Sequence, residues 1–148
     1  QRQRETQKKV IARKREKAEQ RFIWDGIDLR MVWQTMQELP KVPAKFRALK
    51  PVMNVRHYKR APRTWGHAWY LSNEIQVSLW PGLALDSLID TILHELAHLV
   101  AVSIYGLADG RGHKHSFKRT YTDLVDQWNA LHPEMPATRD SRWYLKGA

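Results

Sequence analysis

The sequence predicts an α+β domain in which a small antiparallel sheet packs on one long helix, with further helices toward both ends of the chain. Three observations predict it. Val52 to Tyr58, His67 to Leu71 and Ile75 to Leu79 are strand-length runs rich in β-branched and aromatic residues. Leu83 to Tyr105 is the longest helical pattern, apolar over most of its circumference. Patterns suited to shorter helices lie on either side of this block. With 148 residues, 43% hydrophobic and 27% charged, the chain can bury one proper core. The expected division is a basic helix or arm over residues 1–23 and a single domain over residues 24–148.

Each element has its own justification. Gln1 to Glu19 offers good helix formers and the i,i+4 pairs Glu5/Lys9 and Arg15/Glu19, but little beyond Val10 and Ile11 to bury, so it needs something to hold it. Leu29, Val32, Trp33, Met36 and Leu39 then repeat at helical spacing until Pro40 and Pro43 stop the pattern. Ser72 and Asn73 suit a hairpin turn between the second and third strand runs, and Trp80-Pro81-Gly82 ends the sheet. The long helix has Asp86 in its first turn and Gly106 just past its end. A polar loop, Leu107 to Lys114, is expected before a last helix whose stripe is Phe117, Tyr121, Leu124, Val125, Trp128 and Leu131, closed by Pro133. Trp33, Trp69 and Trp128 fall within apolar patterns, which assigns them to the core.

Composition removes several function classes. With no cysteine, a disulfide framework, a thiol nucleophile and an iron-sulfur cluster are all ruled out, and a reducing, intracellular compartment is expected. No uninterrupted apolar run approaches the roughly 20 residues of a membrane span, and no signal-peptide pattern is visible, so no membrane partner is expected. The net charge is +10, very unevenly placed. Gln1 to Arg21 holds nine basic and three acidic residues, Lys41 to Arg63 holds eight basic residues and no acid, and the chain from Thr64 onward is slightly acidic. Such a distribution points to a polyanion, with DNA the first candidate, for the N-terminal half; the rival reading is a solvated basic arm.

Chemistry concentrates in His94-Glu95-Leu96-Ala97-His98. At about 100° per residue His94 and His98 share one face of the helix, and Glu95 stands on its flank. Two imidazoles one turn apart can hold one metal ion, and the adjacent glutamate can reach a water there without being a ligand. On so apolar a helix the stripe of Asp90, Thr91, His94, Glu95 and His98 must be paired or metal-bound. A catalytic zinc takes three protein ligands, and His113, His115, Asp123, Asp126 and Glu134 are candidates for the third. Asp123 and Asp126 project away from the apolar stripe of the last helix. His113, after Gly112, can fold back over the first helix, and His115 is its rival. Ala101 and Ile104 stand where the metzincin pattern has glycine and histidine, which excludes that class.

These histidines, followed by Gly112-His113-Lys114-His115-Ser116-Phe117, resemble the SprT-like (Spartan-type) zinc metalloprotease domain, whose third ligand stands in a Gly-His-Gly-x-x-Phe string. Gly66-His67-Ala68-Trp69-Tyr70 and Ile75-Gln76-Val77-Ser78 are similar to the family's hairpin before the metal helix, so the resemblance runs from about Val52 to Trp128. It implies a zincin-like fold, one zinc per chain on His94, His98 and His113, and Glu95 as catalytic acid/base. The chain departs from the family in Lys114, which replaces the second glycine, and in lacking the cysteine-rich zinc ribbon of many relatives.

The expected activity is endopeptidase action on a protein or peptide substrate, with Glu95 taking the proton of a zinc-activated water. Tyr105, His115 and Tyr121 are the candidate oxyanion donors, and the sequence does not choose among them. Asp90, one turn before His94, is placed to orient that imidazole. Arg60 and Arg63 flank Trp65, a combination suited to phosphate contact and base stacking, and SprT-like relatives include proteases acting on DNA-attached proteins. The alternative is a non-enzymatic nucleic-acid-binding module with a structural zinc, for which His115 would supply a fourth ligand.

Overall fold

The computed structural model describes residues 2–147, and its core forms where the apolar periodicities of the sequence meet. Helix α1 (Arg2–Gln20) buries almost nothing, so intrinsic propensity sustains it. Its fastening comes just past its end. Arg21 Nη2 donates to Val55 O at 2.8 Å, and His57 Nε2 donates to Arg21 O at 2.8 Å. Next, β1 (Ile23–Trp24) and β2 (Ile27–Asp28) form a hairpin turning at Asp25-Gly26, which the helix-and-strand patterns had not suggested. Asp28 caps α2 (Leu29–Gln37) by accepting from Arg30 N, and Leu29, Val32, Trp33 and Met36 are buried as their spacing requires. A single turn, α3 (Ala44–Ala48), plants Phe46 in the core.

Three strands make the main sheet: β3 (Val52–His57), β4 (Gly66–Trp69) and β5 (Glu74–Leu79), in the order β3-β5-β4. The β4–β5 hairpin is antiparallel, as the Ser72-Asn73 turn suggests. The expected all-antiparallel sheet is corrected, because β3 runs parallel to β5. Strand composition carries no direction, and the chain crosses from one sheet edge to the other within residues 58–65, a stretch with no periodic signal. Register pairs Met53 with Ile75 and Val55 with Val77, which puts all four on the buried face. Among the described residues β4 has only β5 as a neighbour, so its other side is a free edge. Trp69 is likewise corrected: it falls on the outward phase of β4 and is 42% exposed rather than core.

Helix α4 (Leu85–Tyr105) is long and apolar enough to cross a membrane by length and composition, but here most of it is buried against β4, β5 and α6. The segment expected as a polar loop begins with a short helix, α5 (Leu107–Gly110). In α6 (His115–Leu131) the stripe from Phe117 to Trp128 faces α4, while Leu131 at its end is exposed. Residues 132–147 fold back along α6: Trp128 Nε1 donates to Met135 O at 2.7 Å, and Leu145 N donates to Thr122 Oγ1 at 2.9 Å. The described residues thus form an α+β fold of six helices and two small sheets.

Candidate metal centre

Helical spacing on α4 brings His94 and His98 to one side, and α4's packing decides their surroundings. His98 is 7% exposed, with the buried Phe117 ring stacked 4.2 Å from its own. His113 arrives from the loop before α6. Gly112 makes that approach possible, since its φ of 74° lies in the left-handed region that glycine adopts without strain. The departure at Lys114 costs the backbone nothing: as N-cap of α6 it has φ −72° and ψ 178°, ordinary extended geometry, and its Nζ donates to Ala108 O at 3.0 Å.

The three imidazoles converge. His94 Nε2 lies 3.2 Å from His98 Nε2 and 3.2 Å from His113 Nε2. One ring nitrogen offers either one N–H or one lone pair in the ring plane, so it cannot serve two imidazole partners as a hydrogen bond. A shared cation can. Two nitrogens on one tetrahedral ion at about 2.0–2.1 Å stand roughly 3.3 Å apart, close to the spacing here. Burial, helped by the neighbouring imidazoles, lowers His98 to about 3, and burial with the His113 charge lowers His94 to about 4. Both rings are therefore neutral, with lone pairs free, at ordinary pH. Burial also lowers His113. Among the described residues these three form a group able to hold a metal ion.

Glu95 stands beside them at 5% exposure, its Oε1 4.0 Å from His94 Nε2. Its Oε2 is buried without a hydrogen-bond partner, and burial pushes the carboxyl up to about 8. A buried carboxylate oxygen with no partner is costly unless something polar occupies the space in front of it. The Glu95 side chain lines a cavity of about 780 Å³ bounded by β4, the turn after it, Leu107 and the three histidines. Tyr70 closes the arrangement from the β4 side: its hydroxyl accepts from Gly112 N at 3.2 Å and lies 3.5 Å from His98 Nδ1. With a metal on Nε2, Nδ1 would carry the proton and face Tyr70.

The remaining site residues are distributed as follows. Asp90 and Tyr121 belong together: the Tyr121 hydroxyl donates to Asp90 Oδ1 and accepts from Asp140 N at 2.9 Å, so Asp90 is engaged with Tyr121 rather than with His94. Burial raises Asp90 to about 7 and also raises Tyr121. Tyr105, last residue of α4, and His115, first of α6, are exposed, and neither lines the cavity. Arg63 and Trp65 line a second cavity of about 400 Å³ across Gly66, where Asp90, Asp140 and Arg142 also stand, while Arg60 is exposed nearby in sequence. Trp65 leans on Trp80, ring centroids 5.0 Å apart. Asp123 pairs with Lys41 and Arg119, and Asp126 with Arg139, far from any ligand role. Sequence reasoning missed Tyr70, His67 on the cavity wall, and Trp143, which stacks on His113.

Residues 34–140 match the model of the SprT-like family, and the chain belongs to that family. No curated protein and no solved structure matches it.

Proposed function

We propose that the chain is a zinc-dependent endopeptidase of zincin-like architecture. One observation carries this reading: three Nε2 atoms converge beside a buried Glu95, whose Oε1 lies 4.0 Å from His94 Nε2, on the wall of an open cleft. His94, His98 and His113 would hold the ion. When bound, zinc supplies Lewis-acid activation of water and of the scissile carbonyl. Glu95, held ionised by the cation's charge against the effect of burial, would take the proton of the attacking water on Oε1, the oxygen 4.0 Å from His94 Nε2, and return it to the leaving amine. The free edge of β4 pairs with an extended peptide backbone, so recognition depends on an unfolded or flexible stretch of substrate more than on side chains.

A closed structural site requires a fourth protein ligand. The described group has three members, and His115, the residue proposed for that task, is exposed at the start of α6. The open set favours catalysis. DNA is the partner proposed for the basic half: α1 presents its charges to solvent over its length, and Arg60, Arg63 and the 45%-exposed Trp65 lie after β3, the strand to which Arg21 ties the helix. An intracellular setting is part of the proposal.

The test is turnover of an unfolded protein substrate by the zinc-loaded chain, with chelator and with Glu95→Gln. Expected are activity that chelator abolishes and zinc restores, and a Gln variant that keeps zinc but loses at least about 100-fold in kcat. A Gln variant turning over at the wild-type rate would remove Glu95 from the mechanism.

A further inference from the structure

Past residue 140, where the family match ends, the chain still touches the metal centre. The Trp143 indole lies flat on the His113 imidazole, centroids 4.1 Å apart and planes within 16°. The three histidines are unequally constrained. His94 and His98 ride on a 21-residue helix in the core, whereas His113 sits exposed in the loop before α6. The segment carrying Trp143 is itself tied to α6 on both sides. Before it, Asp140 N donates to the Tyr121 hydroxyl at 2.9 Å. After it, the Tyr144 hydroxyl donates to Asp126 Oδ1 at 2.6 Å and Leu145 N to Thr122 Oγ1 at 2.9 Å. The indole is therefore placed by a rigid helix, not by the loop it supports.

We propose that Trp143 is a positioning residue that fixes the His113 ring in its metal-binding orientation, so that the segment beyond the family match completes the metal centre. A flat partner lets an imidazole slide in its own plane but resists tilting. The Nε2 lone pair lies in that plane, so resisting tilt preserves the aim toward His94 Nε2, 3.2 Å away. Phe117 does the same for His98 at 4.2 Å, from the core side. Trp143 is the flat-face counterpart for His113, which the core ring of Phe117 meets only edge-on, centroids 4.9 Å apart.

The proposal rests on the metal-centre reading, and the experiment separates the two. Zinc is titrated against a chromophoric chelator for the full chain as wild type, Trp143→Ala, Trp143→Leu and Trp143→Phe, and the melting temperature of each metal-free form is measured alongside. Outer partners of metal ligands are worth about 10- to 100-fold in affinity, so Ala and Leu should raise the zinc Kd by that factor. Phe keeps a flat face and should stay within about threefold of wild type. Cobalt substitution should show an altered visible spectrum in the Leu variant and a near-native one in Phe. Leu retains apolar volume and so serves if Ala fails to fold. A lowered metal-free melting temperature with an unchanged zinc Kd in the Leu variant would make Trp143 merely structural and overturn the proposal. A wild-type chain that takes up no zinc overturns the metal centre itself.

Discussion

Gly66 on β4 and Glu95 on α4 stand so close that a Cβ added to the glycine would lie 2.9 Å from Glu95 Cγ and 3.0 Å from Thr91 Cγ2. The sheet edge therefore presses directly on the carboxylate-bearing side chain. Only a residue without a side chain permits β4 and α4 to approach this far.

Gly66→Ala should accordingly displace Glu95 while leaving the three histidines in place. Misplacing a reacting group by about 1 Å costs on the order of 100-fold in rate, so kcat should fall by roughly that factor at unchanged zinc content. Metal analysis together with turnover checks it; native turnover in the alanine variant would mean that the contact does not position Glu95.

His113→Ala and His115→Ala should behave differently although only two residues separate them. His113 reaches within 3.2 Å of His94 Nε2, and His115 is exposed at the start of α6. The first variant should lose most zinc under chelator competition, and the second should match wild type. The reverse result would move the third ligand along the chain.

Burial keeps the Asp90 carboxyl protonated in the folded chain up to about pH 7, against an ordinary value of 3.8. Between those values the folded state holds a proton that the unfolded state has released, so raising the pH removes stability. The contribution is complete below about pH 3.8 and lost as pH passes 7. In zinc-free protein, the difference in unfolding free energy between wild type and Asp90→Asn should shrink from pH 4 to pH 7 and then level off. A difference independent of pH would show that Asp90 ionises normally in the folded chain.

Tyr121→Phe removes one hydroxyl that serves two half-buried partners, Asp90 Oδ1 and Asp140 N. Leaving such groups unsatisfied costs about 1–3 kcal/mol. Urea unfolding should report a loss in that range with zinc content intact; a neutral substitution would mean that water replaces the hydroxyl.

Binding of short DNA duplexes by the full chain should weaken steeply with salt, since each phosphate neutralised adds about 0.9 to the slope of log affinity against log salt. Replacing Arg60, Arg63 and Trp65 with alanine, or the α1 lysines with glutamine, should weaken binding and flatten that slope. Affinity unchanged in both variants would assign the basic half another role.

Local features of the sequence proved readable and distant contacts did not. The histidine pair on α4 was legible because a helix fixes the relation of residues four apart, and Gly112-His113 because a glycine there announces a turned loop. The helix stripes of α2 and α6 were legible from the same periodicity. The parallel pairing of β3 with β5 was not, since it is decided by an irregular crossing of residues 58–65. Asp25-Gly26 does signal a hairpin, but two-residue strands leave no alternation to notice. Asp90 was read toward His94, its neighbour along the helix, whereas its partner Tyr121 lies 31 residues away. Trp143 and His113 are joined only by tertiary packing, with no motif linking positions thirty apart.

The free edge of β4 also bears on how the protein behaves in concentrated solution. An unpaired strand is a template for any other strand, including the same strand of a second copy, and β4 has neither a proline nor a lysine along its length to discourage this. Mutual repulsion at a net charge of +10 opposes such pairing. That repulsion is screened within about 3 Å at 1 M salt, so whatever protection charge gives the β4 edge weakens as ionic strength rises.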